Sequence, residues 1–244
     1  MILRPFAACL AFGTLAAFAA PIPKDKDKEQ EPPPATDKQR EQAQNNLKQI
    51  VLGMHNYESA LVSLPGDIVD PKTKKPLLSW RVQMLPYIEG DEGAALYKKF
   101  TLDEPWDSKT NEPLIAEMPK LFAPVRVKAE KGHTFYRGFT GGGAFFEPGA
   151  KRTLAGITDG TSNSIAVIEA GEAVIWTKPG TDIPFDPKKP LPALGKDIDG
   201  IFHAAWLDGS VVRIKRDFTA ENMRAAITID GGEVFDSESL SPGK

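Results

Sequence analysis

Histidine, serine and carboxylate side chains could carry chemistry in this chain, and their spacing decides which chemistry. The three histidines, His55, His133 and His203, each stand alone, with no HExxH pair or other metal spacing around them. A histidine without a nearby carboxylate or serine reads first as a group hydrogen-bonded against its own domain. His133, after Lys131-Gly132, reads as exposed, and His203 reads as a core position inside a strand. Ser162 and Ser164, in Asp159-Gly160-Thr161-Ser162-Asn163-Ser164, are the candidate nucleophiles. A hydrolase using the Ser162 region needs a histidine within hydrogen-bond reach. The favoured reading of the same residues is a turn, closed by Asp159 and Asn163 with positive φ at Gly160. Gly141-Gly142-Gly143 lacks the lysine and Ser/Thr of a phosphate loop and reads as a turn.

Oxygen ligands cluster at Asp103, Glu104, Asp107 and Asn111, and again at Asp197 and Asp199. Calcium takes six to eight such ligands from loops of this kind, though neither cluster has EF-hand spacing. No other cofactor is expected. Recognition is the remaining chemistry, and Phe202, Trp206, Arg213 and Lys215 have the aromatic and arginine content of an interaction face. Alternatively, Phe202 and Trp206 pack under the proline-rich segment 178–196.

These side chains need elements to hold them. Leu47, Ile50, Val51, Met54 and Leu61 recur at helical spacing within the stretch Gln44 to Pro65, which predicts one long amphipathic helix. Thr36 stands three residues before Gln39, a capping-box spacing, and Pro65-Gly66 stops the helix. A short helix is expected over 91–100 and a helical turn over 112–118. Strands are expected over 121–127, 133–139, 164–168 and 173–177. The segment 201–215 reads as a hairpin with Asp208-Gly209 as a two-residue turn. That turn pairs Ala205 with Val212 and His203 with Ile214, and puts Phe202, Trp206, Val211, Arg213 and Lys215 on the other face. A last helix starts near Thr219, with Phe218 and Met223 as a hydrophobic staple, and ends at Gly231-Gly232.

The 244 residues are 41% hydrophobic and 26% charged, enough for one sizeable core. A net charge of -3 without a basic stripe argues against a nucleic-acid partner. Cys9 is the one cysteine, so neither a disulfide framework nor a thiolate zinc site can form. Arg4, the uncharged run from Pro5 to Ala20, and Ala17-Phe18-Ala19 read as a secretory signal, too short to span a bilayer. A lipid on Cys9 is the alternative. The expected organisation is a signal peptide at 1–19, a charged, proline-rich tether at 20–36, a domain at 37–236 and a disordered tail at 237–244.

Four segments in order, QNNLKQIVLGMHNY, SWRVQMLPYIE, GITDGTSNSIAVIEA with WTKP, and the DGSV hairpin with its Gly-Gly-Glu ending, resemble a planctomycete family of secreted proteins of unknown function. The resemblance spans about Gln44 to Val234. It implies an α+β, pseudopilin-like fold, a long N-terminal helix on an antiparallel sheet, and it implies no reaction. Pseudopilins also hold calcium in a loop, which supports the calcium alternative. This chain departs from the family in having a signal and tether where members carry a prepilin half-helix. It departs again at the His-x(9)-Asp-Gly motif, where the position ten before Asp208 is Ile198.

The combined reading is an exported, periplasmic or extracellular, non-catalytic interaction module for envelope or secreted proteins. A solute- or calcium-binding protein is the alternative, and a hydrolase at Ser162 comes third. The exported protein is expected to begin near Ala20. N-terminal sequencing that returned Met1, or mass spectrometry that found a lipid on Cys9, would refute the signal-peptide reading.

Overall fold

Thr36 begins the longest element because its hydroxyl accepts the Gln39 N–H at 3.3 Å while Gln39 Oε1 accepts the Thr36 N–H at 2.8 Å. This is the capping box expected from the spacing, and it opens α1, Asp37–Leu61. The computed structural model describes residues 34–88, 90–147, 151–195, 199–233 and 237–241, without the side chains of 237 and 238. The signal segment and the tether as far as residue 33 lie outside the described residues. The tether was expected to run to 36, but Ala35 is buried and its N–H is bonded to Asp199, so the domain begins earlier.

Leu47, Ile50, Val51 and Met54 are fully buried on one side of α1. Each such side chain contributes about 1.5–3 kcal/mol on burial. Gly53 lets the helix approach its neighbour, since a Cβ there would meet Met84 Cε at 2.6 Å. The stripe outruns its support: Leu61, read as core, is 51% exposed. Val62 caps the helix at φ 52°, ψ 38°, a left-handed conformation that a β-branched residue rarely adopts.

A small antiparallel pair, β1 Ile68–Val69 and β2 Pro76–Leu78, follows, then α2 Trp80–Gln83 and α3 Asp91–Tyr97. The helical turn expected over 112–118 is a 3-10 helix, Glu112–Glu117. The strand expected over 121–127 does not form. A 3-10 turn, Lys120–Phe122, stands there, flanked by Pro119 and Pro124, which cannot donate to a ladder.

The main sheet contains β3 His133–Arg137, β5 Ile165–Ile175, β7 Ile201–Trp206 and β8 Val211–Lys215, antiparallel in the order β3-β5-β7-β8. The two strands expected over 164–168 and 173–177 are one eleven-residue strand, β5. β4 Phe139–Thr140, which follows β3, pairs in parallel with β6 Ile183–Pro184, which follows β5, so the proline-rich segment 178–196 carries a strand of its own. One face of the main sheet, including Val167 and Ala205, joins the α1 core. The other face is covered by α4, Ala220–Ile227, whose cap is Thr219 and whose Met223 shares a cluster with Phe218 as the staple expected. The tail expected from 237 is instead a 3-10 turn, Ser237–Leu240, because Leu240 is buried in that second cluster.

The hairpin differs from expectation by one residue of register. Trp206 and Ser210 are bonded across the turn, leaving a three-residue loop in which, of Leu207, Asp208 and Gly209, only Gly209 has positive φ, at 87°. Three-residue loops of this kind place a glycine in the left-handed position to form a bulge. Ala205 therefore pairs with Val211 and His203 with Arg213. A one-residue slip exchanges the faces, so Phe202 and Trp206 part company with Arg213 and Lys215.

Replacing Val62 with glycine is expected to raise stability by about 0.5–1 kcal/mol, relief of the left-handed conformation outweighing the added freedom of the unfolded chain. Guanidinium unfolding checks this, and a variant no more stable than the wild type would show that the cap carries no strain.

Candidate functional site

The described residues contain two buried ionic clusters, and they differ in how fully their groups are occupied. In the first, Arg81 is completely buried and donates to Tyr136 O through Nε (3.1 Å) and Nη2 (2.6 Å) and to Ser79 Oγ through Nη1 (2.8 Å). Asp182, 3.5 Å from Arg81, accepts Trp80 Nε1–H at 3.0 Å and the Gly138 N–H at 2.8 Å. Asp67 accepts the Trp80 and Gly180 amides at 2.9 and 2.7 Å. Burial first, and Asp182 second, push the Asp67 carboxyl up to about 6. Backbone and side chains satisfy one another here, and the cluster joins α2, β3 and the segment around 180.

The second cluster lies under the N-terminal half of α1. Glu169 on β5 and His203 on β7 project from the sheet face that α1 covers, at 2% and 1% exposure. Arg126, from the loop before β3, reaches Glu169 Oε2 at 2.8 Å through Nη1 and lies 3.7 Å from Asp199 Oδ2 through Nη2. His203 Nδ1 is 3.6 Å from Glu169 Oε2, beyond a hydrogen bond. Among the described residues neither that Nδ1 nor Glu169 Oε1 has a hydrogen-bond partner. Burial raises the Glu169 carboxyl, with Arg126 opposing, and burial together with Arg126, Arg213 and Arg40 holds His203 down at about 3. Asn46 on α1 donates to Tyr136 Oη at 3.4 Å, closing the network from above.

This network backs an open cleft of about 490 Å³ at the surface. Asp37, Arg40, Glu41 and Gln44 of α1 form one wall, and Asp199, Ile201 and Arg213 form the other. Arg40 is already neutralised, by Asp37 at 2.8 Å and Asp199 at 3.1 Å. Glu41 and Arg213 are exposed and have no ion-pair partner among the described residues. Two free charges of opposite sign thus share one concavity.

Of the face expected at the hairpin, only Arg213 lines this cleft. Phe202 and Trp206 are each 5% exposed and cluster with Phe185, Leu191 and Leu194 of the segment 178–196, which is the packing alternative. Lys215 is half-buried, 3.9 Å from Asp217. The calcium candidates do not converge: Asp103 and Asp107 are exposed, and Asn111 is buried with its carboxamide bonded to Thr101, Glu104 and Pro105 backbone. Asp197 lies outside the described residues, and Asp199 is held by Arg40 and the Ala35 N–H. Among the described residues no three His, Cys, Asp or Glu side chains are grouped to hold a metal ion.

His55 Nε2 lies 2.7 Å from Leu207 O, tying α1 to the hairpin loop. His133 is half-buried, with Nδ1 3.4 Å from Lys131 O. Ser162 is exposed, and Ser164, fully buried, donates to Gly160 O. Asp159 does more than close a turn, since its carboxylate accepts the Gly231 and Gly232 amides at 2.8 and 2.9 Å. Arg126, Glu169 and Glu41 escaped the sequence reading. A glutamate inside the apolar run Ile165 to Ala170 was the available signal, because a buried carboxylate requires a cation.

Residues 39–139 match the model of a family described as "Protein of unknown function (DUF1559)". The match runs from α1 through β3 to the start of β4 and takes in Arg40, Glu41 and Arg126 but not Glu169, Asp199 or Arg213. No curated protein and no solved structure matches the chain.

Stability should report the buried histidine. With a folded pKa of about 3 against an ordinary 6.5, His203 contributes stability that is present above about pH 6.5 and lost as pH falls toward 3. Asp67, raised to about 6, contributes in the opposite sense, its stability present at low pH and lost as pH rises through 6. The stability of wild type relative to His203→Gln is therefore expected to fall as pH drops from about 6.5 to 4, with a limiting slope of about 1.4 kcal/mol per pH unit. Denaturation of both proteins across that range checks it, and parallel pH profiles would contradict a neutral, buried His203.

Proposed function

We propose that this chain is an exported, non-catalytic interaction module of the cell envelope, built on a pilin-like helix-and-sheet core. Its partner is an envelope or secreted protein. The observation that carries this reading is the pair of opposite charges, Glu41 and Arg213, that have no ion-pair partner among the described residues and share the cleft between α1 and the β7–β8 hairpin. Arginine anchored on a sheet is a frequent hot spot, and a matched acidic group beside it gives orientation as well as affinity. The α1 core holds both walls in place, so recognition needs little ordering of the scaffold. Two of the potential reactive groups support binding over turnover, since His55 and Ser164 are engaged by backbone carbonyls.

The concavity favours a second reading, capture of a small zwitterionic solute, because about 490 Å³ lies within the range of ligand pockets. Photo-crosslinking from position 44 in the native envelope, followed by pull-down with Glu41→Lys and Arg213→Glu proteins, tests the first reading. Each reversal is expected to weaken capture of the crosslinked partner about fivefold or more, with the loss reduced at high salt. Variants that are folded and capture the same partner as wild type would exclude the cleft. Turnover of an ester, peptide or glycan that disappears in Ser162→Ala would make the protein an enzyme instead.

A further inference from the structure

One oxygen serves two arginines. Asp199 Oδ2 lies 3.1 Å from Arg40 Nη2 and 3.7 Å from Arg126 Nη2, and the same atom accepts the Ala35 N–H at 3.2 Å. Arg126 is divided in turn, with Nη1 on Glu169 Oε2 at 2.8 Å. A row of alternating charges, Glu169, Arg126, Asp199 and Arg40, therefore leads from the buried sheet face to the cleft wall. Building on the cleft as the binding surface, we propose that Glu169 and Asp199 compete for Arg126. When Glu169 takes up a proton, Arg126 turns to Asp199 and releases Arg40 to meet an anionic group of the partner.

The argument is one of buried charge. The Arg126 side chain is 1% exposed and a guanidinium does not deprotonate, so it must keep an anion beside it. Asp199 is the second carboxylate in range, and it is fixed in place by Ala35 and by a left-handed backbone of φ 60°. Arg126 can close on it, but Oδ2 already accepts from Ala35 and Arg40, so its two lone pairs leave no place for a third close donor. Glu169 is the group disposed to accept the proton: burial disfavours its charge, Asp199 adds to that, Arg126 is its compensation, and Oε1 has no hydrogen bond among the described residues. His203 does not take the proton in its place, because burial first, and then Arg126, Arg213 and Arg40, disfavour its charged form. Arg40 is on α1 and half-buried, with Asp37 as its remaining, exposed partner, so losing Asp199 leaves donors directed into the cleft.

Arginine side-chain NMR on the whole exported protein decides the matter. Lowering pH from about 7.5 to about 4.5 is expected to shift the Arg126 and Arg40 Nε–Hε signals together, with the midpoint of the Glu169 carboxyl carbon. In Glu169→Gln both signals should already hold their acid positions at neutral pH, and in His203→Gln the transition should persist. Arginine midpoints that differ from that of Glu169 in wild type would overturn the proposal without any variant. So would a His203→Gln protein lacking the transition, or a folded Glu169→Gln whose Arg40 signal matches neutral wild type. Succinate is the anionic probe for the cleft, and Glu169→Gln is expected to bind it about two- to fivefold more tightly, the worth of one extra exposed ion pair. Unchanged succinate affinity after the arginine signals have moved would break the link to the cleft. Capture by Arg213→Glu, by contrast, tests the binding surface and leaves the charge row untouched.

Discussion

Closing α1 onto the sheet is the step on which the remaining structure depends. Leu47, Ile50, Val51 and Met54 leave water completely when the helix docks, and the opposing sheet face, with Val167 and Ala205, leaves with them. Burial on that scale is worth several kcal/mol, comparable with the whole stability of a small domain. The same closure traps polar groups. Asn46 of the helix and Tyr136, Glu169 and His203 beneath it are all buried, and each must find a partner or a neutral state there.

The two buried ionic clusters answer that demand differently. Around Arg81 the guanidinium, the Asp182 carboxylate and the surrounding amides saturate one another, and such a site fixes geometry. Around Arg126 one cation is divided between two carboxylates, one of them reaching the surface. A buried ion pair gains little over apolar packing, yet removing one partner is costly, so partial occupancy makes the second cluster responsive where the first is rigid. Its position behind the cleft gives that responsiveness a place to act.

The cleft itself belongs to no single element. α1 supplies Glu41 and Arg40, β8 supplies Arg213, and the turn before β7 supplies Asp199. Exposed ion pairs are individually weak, so a surface of this type gains selectivity from the arrangement of its charges more than affinity from any one of them. The hairpin aromatics contribute from behind. Phe202 and Trp206 anchor the sheet against Phe185 and Leu194, and that packing steadies the strand from which Arg213 projects.

Much of the local structure was legible in the residues. Period 3.6 located α1, the Thr36 and Gln39 pair located its start, Asp-Gly located the hairpin, and Thr219 located α4. These signals are local, since capping and turn chemistry act within a few residues. Four outcomes were decided by tertiary structure. The strands expected over 164–168 and 173–177 merge into β5, because β3 pairs with both ends of it. The 121–127 segment gave up its strand to a 3-10 turn that stacks Phe122 on Trp176 and sets it edge-on to Trp80. A single extra loop residue moved the hairpin aromatics from the expected recognition face into the core, since strand faces alternate with period two. Arg126, Glu169, Asp199 and Arg213 meet only because separate strands and loops converge under and beside α1. Nothing in a linear sequence encodes the distance between residues 43 positions apart, and the charge network is made of such distances. Sequence alone determined which segments must be buried; packing determined which charges were buried with them.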